Sequence, residues 1–491
     1  MRALTVFFFI LINISCWSQQ LRVGFSKLTI NPTVVDDFID VDGDSHWNSK
    51  VDKFIDNNNN GKFDAIWMAG FGNNRPVSGI HDDLYSSTMI MDSGETRVAI
   101  IAIDAIGFSR QDYLDVKSRL KKEWQLDHII ITASHNHEAP DLIGIWGKED
   151  KSGVNKEYLR YVKQRILDSI KNAVGKLRPA KVKLLSIKHD PTTIFNDTRK
   201  PKVYDPYIRW MYFEDLYTKK CLGTLSNISN HVETVWDKNN LITSDFVYYL
   251  REALSKGIRY GNKQYYTGLG GTHLFVPGLV GGLMTTSLSQ TVTNPFTGTK
   301  VKAPTFEKAK IVGHQIAKWI FDAHLKSKGQ FEENTNLKLS FRTFKMPVAN
   351  KDFRKAALFK LIKRKIYWYR KVKTEISSLK FGDSIIQSFP GELYPELVFG
   401  GVENPQGADY KVDVSKQVSY EKLLNAYKHR FYFGLTNDFI GYVIPKAEWD
   451  NKSPWNYGRN RRWYGEKVSM GVETAKIIYN NVIENIKNTV D

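Results

Sequence analysis

Two histidines, His135 and His137, stand two residues apart in the segment Ser134-His135-Asn136-His137-Glu138. Imidazole nitrogens ligate borderline metals such as zinc and exchange protons near neutral pH. The pair follows the apolar run Ile129-Ile130-Ile131-Thr132, which reads as the end of a buried strand. In an extended chain residues i and i+2 point to the same side, so both rings are expected to serve one ion or one reacting group. Open α/β sheets bind ligands at such strand ends. The pair alone also fits two histidines that simply hydrogen-bond. Three other residues have comparable settings. His231 follows the run Leu225-Ser226-Asn227-Ile228. Glu392 follows a strand and the turn Pro390-Gly391, which can aim a carboxylate at a strand-end cleft. Tyr442 closes Asn437-Asp438-Phe439-Ile440-Gly441. Read singly, His231 is a structural histidine and Tyr442 an ordinary half-buried tyrosine.

A different chemistry is suggested upstream. Asp40, Asp42 and Asp44 alternate, and Asp56, Asn58, Asn60 and Asp64 fall at EF-hand-like positions around Gly61. Alternating oxygen ligands with a turn glycine suit a hard cation such as calcium. The closing position carries Trp67 where an EF-hand has Glu, so a complete EF-hand is excluded. The other reading is a solvated Asp/Asn-rich loop. A calcium-type ion would act structurally, bracing an insertion at about residues 36–67.

The elements that must position these groups alternate along the chain. Strands are expected at Thr96–Ile103, His128–Thr132, Leu222–Ser229, Leu274–Val276, Ser384–Phe389 and Tyr432–Leu435. Helices are expected at Gln111–Trp124, Glu157–Val174, Asp245–Leu254, Glu307–His324 and Val468–Ile486. Alternation of this kind predicts an α/β fold, one large layered domain with mixed β-sheet and flanking helices. With 491 residues and 42% hydrophobic content the chain can bury a substantial core and is not disordered.

The N-terminus reads as a signal peptide over residues 1–18: Arg2, an apolar run from Ala3 to Ile12, then small residues. A secreted or periplasmic protein is expected, with mature residues 19–491. Lipoprotein anchoring through Cys16 is the less expected alternative, because Asn13 stands where a leucine is usual. Only Cys16 and Cys221 occur, so no disulfide framework supports the mature fold. The net charge of +18 suits a solvated basic surface, or a peripheral membrane or polyanion contact. The densest basic stretch, Lys360 to Lys373, interleaves Tyr367, Trp368 and Tyr369. No nucleic-acid motif accompanies it, so no nucleic-acid partner is expected.

Taken in order, these segments resemble the catalytic domain of the neutral (alkaline, non-lysosomal) ceramidase family. The resemblance runs from Val23-Gly24-Phe25-Ser26 to about Tyr442. It is carried by Gly79-Ile80-His81-Asp82, Ser134-His135-Asn136-His137, Asn230-His231-Val232-Glu233-Thr234, Phe389-Pro390-Gly391-Glu392 and Asn437 to Tyr442. It implies a zinc ion held by His135, His231, Glu392 and Tyr442, with His137 beside it as proton donor or oxyanion partner. Two departures stand out. Met284 occupies the place of the family's catalytic serine, with Thr285 next to it, and methionine can neither attack nor donate a hydrogen bond. The chain after Tyr442 is too short for the family's C-terminal immunoglobulin-like domain. Either Thr285 or zinc-activated water is then expected to replace the serine. The expected activity is zinc-dependent hydrolysis of an amide bond in ceramide or a related N-acyl lipid. One alternative is an amide or ester hydrolase acting on an acylated carbohydrate. Another is a non-catalytic metal-binding protein of the same fold.

Overall fold

The computed structural model describes residues 20–148, 151–282, 284–367 and 370–490. The expected signal peptide and Cys16 lie outside these residues, as do Trp368 and Tyr369.

Eight strands form one sheet: β1 (Arg22–Thr29), β2 (Tyr85–Asp92), β3 (Arg97–Ile103), β4 (His128–Ala133), β5 (Arg178–Lys188), β6 (Tyr207–Asp215), β7 (Cys221–Ile228) and β8 (Thr272–Pro277). Their order is β8-β7-β6-β5-β1-β2-β3-β4. The β3–β4 and β7–β8 pairs are parallel and the others antiparallel. A second sheet holds β9 (Leu337–Pro347), β10 (Lys371–Phe381), β11 (Ser384–Ser388) and, beyond the short β12 (Glu392–Leu393), β13 (His429–Phe433). Its order is β9-β10-β11-β13, with β11 and β13 parallel. The mixed sheets with flanking helices are the α/β architecture expected.

The two sheets face each other. Val23, Ile100, Met211 and Leu274 from the first meet Leu379, Ile386 and Phe433 from the second in one buried cluster. The first sheet's outer face carries α1 (Arg110–Ser118), α2 (Lys156–Val174), α3 (Phe246–Lys256) and α4 (Phe306–Lys326). The second sheet's outer face carries α5 (Thr474–Val490). Local sequence explains these helices. On α2, Asn155 caps the first turn by accepting from the Glu157 and Tyr158 amides. Leu159, Val162, Ile166 and Ile170 then recur at helical spacing and are buried. Burial of each such side chain contributes about 1.5–3 kcal/mol.

Three expected spans are corrected. Gln111–Trp124 is not one helix: α1 ends at Ser118, and a 3-10 turn covers Lys122–Trp124. Gln125 closes that turn in the left-handed region, with φ 51°. The strand expected from Tyr432 begins at His429, because Ser384 and Ile385 on β11 pair with His429 and Arg430. The helix expected from Val468 starts at Thr474, since Gly471 has φ 145° and the chain before it is tied to Ala349. The lysine-rich strands β5 and β9 have no apolar run to announce them.

Burial also sets a pH response. His128 lies inside the sandwich and His273 on the first sheet's opposite face, beneath α3; they are 1% and 4% exposed. Desolvation pulls them down to about 4 and about 3. Both are neutral in the fold, whereas the unfolded chain protonates them below about 6.5. Stability is therefore complete above that value and falls as pH drops toward the folded pKa values. A tenfold difference in proton affinity between the folded and unfolded chain is worth about 1.4 kcal/mol, so urea unfolding should show a loss of about 2–5 kcal/mol between pH 7 and pH 4.5. A His273→Gln variant should flatten that slope.

Candidate metal centre

The site lies beyond the C-terminal ends of β4, β7, β11 and β13, each of which has a parallel partner. An isolated parallel bridge joins Asn136 to Val232, and the His137 amide donates to the Val232 carbonyl at 2.9 Å. This brings His135 and His137 against His231 and Glu233. Glu392 on β12 pairs in parallel register with Tyr442, the first residue of β14 (Tyr442–Val443). Their backbones approach so closely that a Cβ on Gly391 would lie 2.3 Å from the Gly441 carbonyl oxygen. One on Gly441, whose φ is +72°, would lie 1.6 Å from the Val468 carbonyl oxygen.

The side chains converge. Ring nitrogens of His135, His137 and His231 lie within 4.8 Å of one another. Glu392 Oε2 sits 3.3 Å from His135 Nε2 and 3.4 Å from His231 Nε2. The opposite nitrogens are committed to backbone: His135 Nδ1 to the Ile106 carbonyl at 2.8 Å, His231 Nδ1 to the Met284 carbonyl at 3.0 Å. With the proton on Nδ1, each ring turns its Nε2 lone pair into the space it shares with Glu392, where a cation could accept it. The expected extended geometry is corrected: His135 is left-handed, with φ 62°, and the His135 and His137 rings stand at 86°. Proximity comes from this turn and the Asn136 bridge, not from strand alternation.

Electrostatics follow the packing. Burial raises the Glu392 pKa, but the His135 and His231 contacts outweigh it and bring it to about 2. Burial pulls His231 down, but Glu392 and Glu233 reverse this and leave it raised. His137 is lowered well below its ordinary value by burial, helped by the charges of His135, His231 and Arg75. Burial and the Glu392 charge push Tyr442 well above 10. The site thus holds an ionised carboxylate and a neutral imidazole.

Both His137 nitrogens and Glu392 Oε2 are buried without an aligned hydrogen-bond partner. His137 Nδ1 is 3.1 Å from Glu233 Oε2, close but poorly directed. Unsatisfied buried polar atoms are costly, and a cation among them would satisfy them. Imidazole nitrogens and a carboxylate are a zinc-compatible donor set. His135, His231 and Glu392 could hold such an ion, with His137 or Tyr442 completing it.

Around the site, Phe71 lies 5.1 Å from the His137 ring and 4.9 Å from Trp236. The fully buried Arg75 donates to the Ala69 carbonyl at 2.7 Å and to the His137 carbonyl. Neither Glu233 nor Phe71 stands out in the sequence as a site residue. Glu233 follows His231 at the same spacing that separates His135 from His137, which is the signal that could have found it.

Met284 is fully buried in the apolar core. Its carbonyl accepts both the His231 amide, at 2.9 Å, and Nδ1. Met284 thus orients His231 through its backbone. The Thr285 hydroxyl is buried and has no hydrogen-bond partner. Met284→Ser should cost about 2–5 kcal/mol in urea unfolding, as lost core volume does, while leaving metal stoichiometry unchanged.

The Asp/Asn-rich segment packs on its own aromatic cluster of Phe38, Trp47, Phe54 and Phe63. Carboxylate oxygens of Asp40, Asp42 and Asp44 lie within 4.8 Å of one another. In the second loop Asp56 accepts the Asn60 and Gly61 amides at 3.1 and 2.7 Å. Asp64 accepts both the Asn58 and Asn60 side-chain amides, each at 2.7 Å. His46 Nε2 reaches the Phe71 carbonyl at 3.1 Å, so the insertion abuts the wall of the histidine site. The basic stretch is partly spent internally: Lys363 pairs with Asp112 at 2.8 Å and Arg364 with buried Asp438.

Comparison with solved structures places this architecture. Neutral ceramidase from Pseudomonas aeruginosa superposes with a TM-score of 0.65 at 14% identity, over 95% of this chain and 74% of that one. The fold is ceramidase-like. A ceramidase complexed with C2 gives 0.64 at 14% identity, over 95% and 75%. No protein-family model matches the chain, and no curated protein matches its sequence.

Proposed function

We propose that this protein is a zinc-dependent hydrolase that cleaves the amide bond of ceramide or a related N-acyl lipid. The observation that carries the reading is Glu392 Oε2, held 3.3 and 3.4 Å from two imidazole nitrogens inside a ceramidase-like fold. His135, His231, Glu392 and Tyr442 would hold the ion. Zinc in such a site supplies Lewis acidity toward a carbonyl oxygen and toward water. His137 is the proton carrier. Glu233 Oε2 stands 3.1 Å from its Nδ1; a small turn of the ring would align the two, put the ring proton on Nδ1 and leave Nε2 free to take a proton from water and return it to the leaving amine. Burial keeps His137 neutral at rest and weakens it as a base, so a proton it takes up is readily passed on. Buried Met284 offers no nucleophile, which favours water over a side chain as the attacking group.

The same departure supports a second reading, in which the acyl group is carried by a carbohydrate. Export with cleavage near Ser18, and calcium at the Asp40–Asp44 and Asp56–Asp64 loops, belong to the proposal as well. The test is a substrate panel on purified protein: N-acyl sphingosines beside acylated glycans, each with and without a chelator. Fatty acid released from ceramide, lost on chelation and restored by zinc, is the expected result. Turnover on glycans alone would move the assignment to the second reading. Undiminished turnover after complete metal removal would end the metal mechanism.

A further inference from the structure

A second cleft lies outside the metal centre, between the first turns of α5 and residues 411–420. It encloses about 600 Å³, within the range of ligand-binding cavities. Its floor is apolar. Leu397 and Tyr420 are 7% and 1% exposed, and Ala475 and Tyr479 line it from α5. Val418 stands at the rim, 47% exposed.

Four lysines line the same cleft: Lys411, Lys416, Lys446 and Lys476. Lys416 pairs with Asp413 at 3.1 Å, and Lys446 with Glu473 at 2.6 Å. Lys411 and Lys476 have no acidic partner among the described residues. Two unanswered ammonium groups over a recessed apolar floor are complementary to one anionic head with a hydrocarbon tail. The floor residues are sunk below the surface, so the shape suits a single inserted chain and not a lipid plane.

We propose that this cleft binds one free fatty acid, its carboxylate between Lys411 and Lys476 and its chain against Leu397, Tyr420, Ala475 and Tyr479. The site uses none of His135, His231, Glu392 or Tyr442, so it stands or falls apart from the hydrolase reading. It is nonetheless adjacent in the chain: Leu397 follows Glu392 by five positions and Lys446 follows Tyr442 by four.

The probe is dodecanoate below its micellar concentration, titrated calorimetrically into the full-length protein. Saturable one-site binding is expected, at least tenfold tighter than dodecyltrimethylammonium, whose tail is the same and whose charge is opposite. The K411E/K476E double variant should weaken it at least tenfold, and Ala475→Trp should abolish it by filling the floor. Val418→Asp, an exposed rim change that spares the core, should also weaken binding and covers a failure of Ala475→Trp to fold. His135→Ala should leave the affinity unchanged. The proposal is overturned by absent saturable binding, by affinity indifferent to K411E/K476E and Val418→Asp, or by loss of binding in His135→Ala, which would place the ligand at the metal centre. Binding of phosphatidylglycerol vesicles without binding of monomeric dodecanoate would overturn it in favour of a membrane contact.

Discussion

His135→Ala is expected to abolish metal binding while leaving the protein folded. The ring contributes one backbone hydrogen bond, to Ile106, whose net worth is about 1 kcal/mol. Its other nitrogen faces Glu392 Oε2 at 3.3 Å and is one of the converging donors. Loss of partners that merely orient metal ligands costs about 10–100-fold in affinity, so loss of a donor itself should exceed about 100-fold. Zinc content of the purified variant, measured per chain, should fall from near one to near zero. Its circular dichroism and urea midpoint should stay close to wild type. Turnover on whichever substrate the panel yields should drop by about 1,000-fold or more, the rate equivalent of several kcal/mol of lost charge stabilisation. Glu392→Gln gives the same test with nearly constant shape, because the amide cannot supply the anionic oxygen. Zinc content undiminished in both variants would dismiss the centre.

Gly441→Ala should give the opposite pattern, in which metal and fold are lost together. The added methyl would lie 1.6 Å from the Val468 carbonyl oxygen, a backbone atom with no rotamer to adopt, and φ is +72°. Either the bridge between Gly441 and Ser469 opens or the β12–β14 pairing shifts. Both hold Tyr442 opposite Glu392. We expect a loss of about 3 kcal/mol or more in urea unfolding, with zinc content falling in parallel. Gly458→Ala is the control. Gly458 also has positive φ, at +67°, but the added methyl meets nothing within 4 Å. Only the left-handed backbone cost of about 1–2 kcal/mol should appear there, with full metal content. Equal behaviour of the two variants would show that close approach at Gly441 does not govern the site.

How far the sequence carries depends on the range of each interaction. Buried strands such as β3 and β4 show as apolar runs because both faces are covered. Helix α2 shows as periodicity with a capping asparagine. These local signals place His135, His231 and Glu392 each just past a strand, and their order along the chain supports the resemblance to ceramidases. They also make the layered α/β architecture legible. Strands β1, β2, β5, β6, β9 and β10 are not among those expected; in β5 and β9 polar residues, several of them lysines, leave no continuous apolar run to mark them. The start of α5 is misplaced because Gly471 and the pairing of Ser469 with Gly441 are tertiary matters.

The sequence by itself determined which residues could ligate a metal and that each follows a strand. Residue type and apolar patterning are local properties. Only the tertiary structure decided that these residues meet. The Asn136–Val232 bridge joins segments about a hundred positions apart, and the Glu392–Tyr442 register sets a carboxylate beside a phenol. The structure also revealed that His135 turns left-handed, that Glu233 stands beside His137, and that buried Met284 orients His231 through its carbonyl. The first is a backbone φ that residue type does not announce, and the other two join segments distant in the chain, which local patterning does not reach.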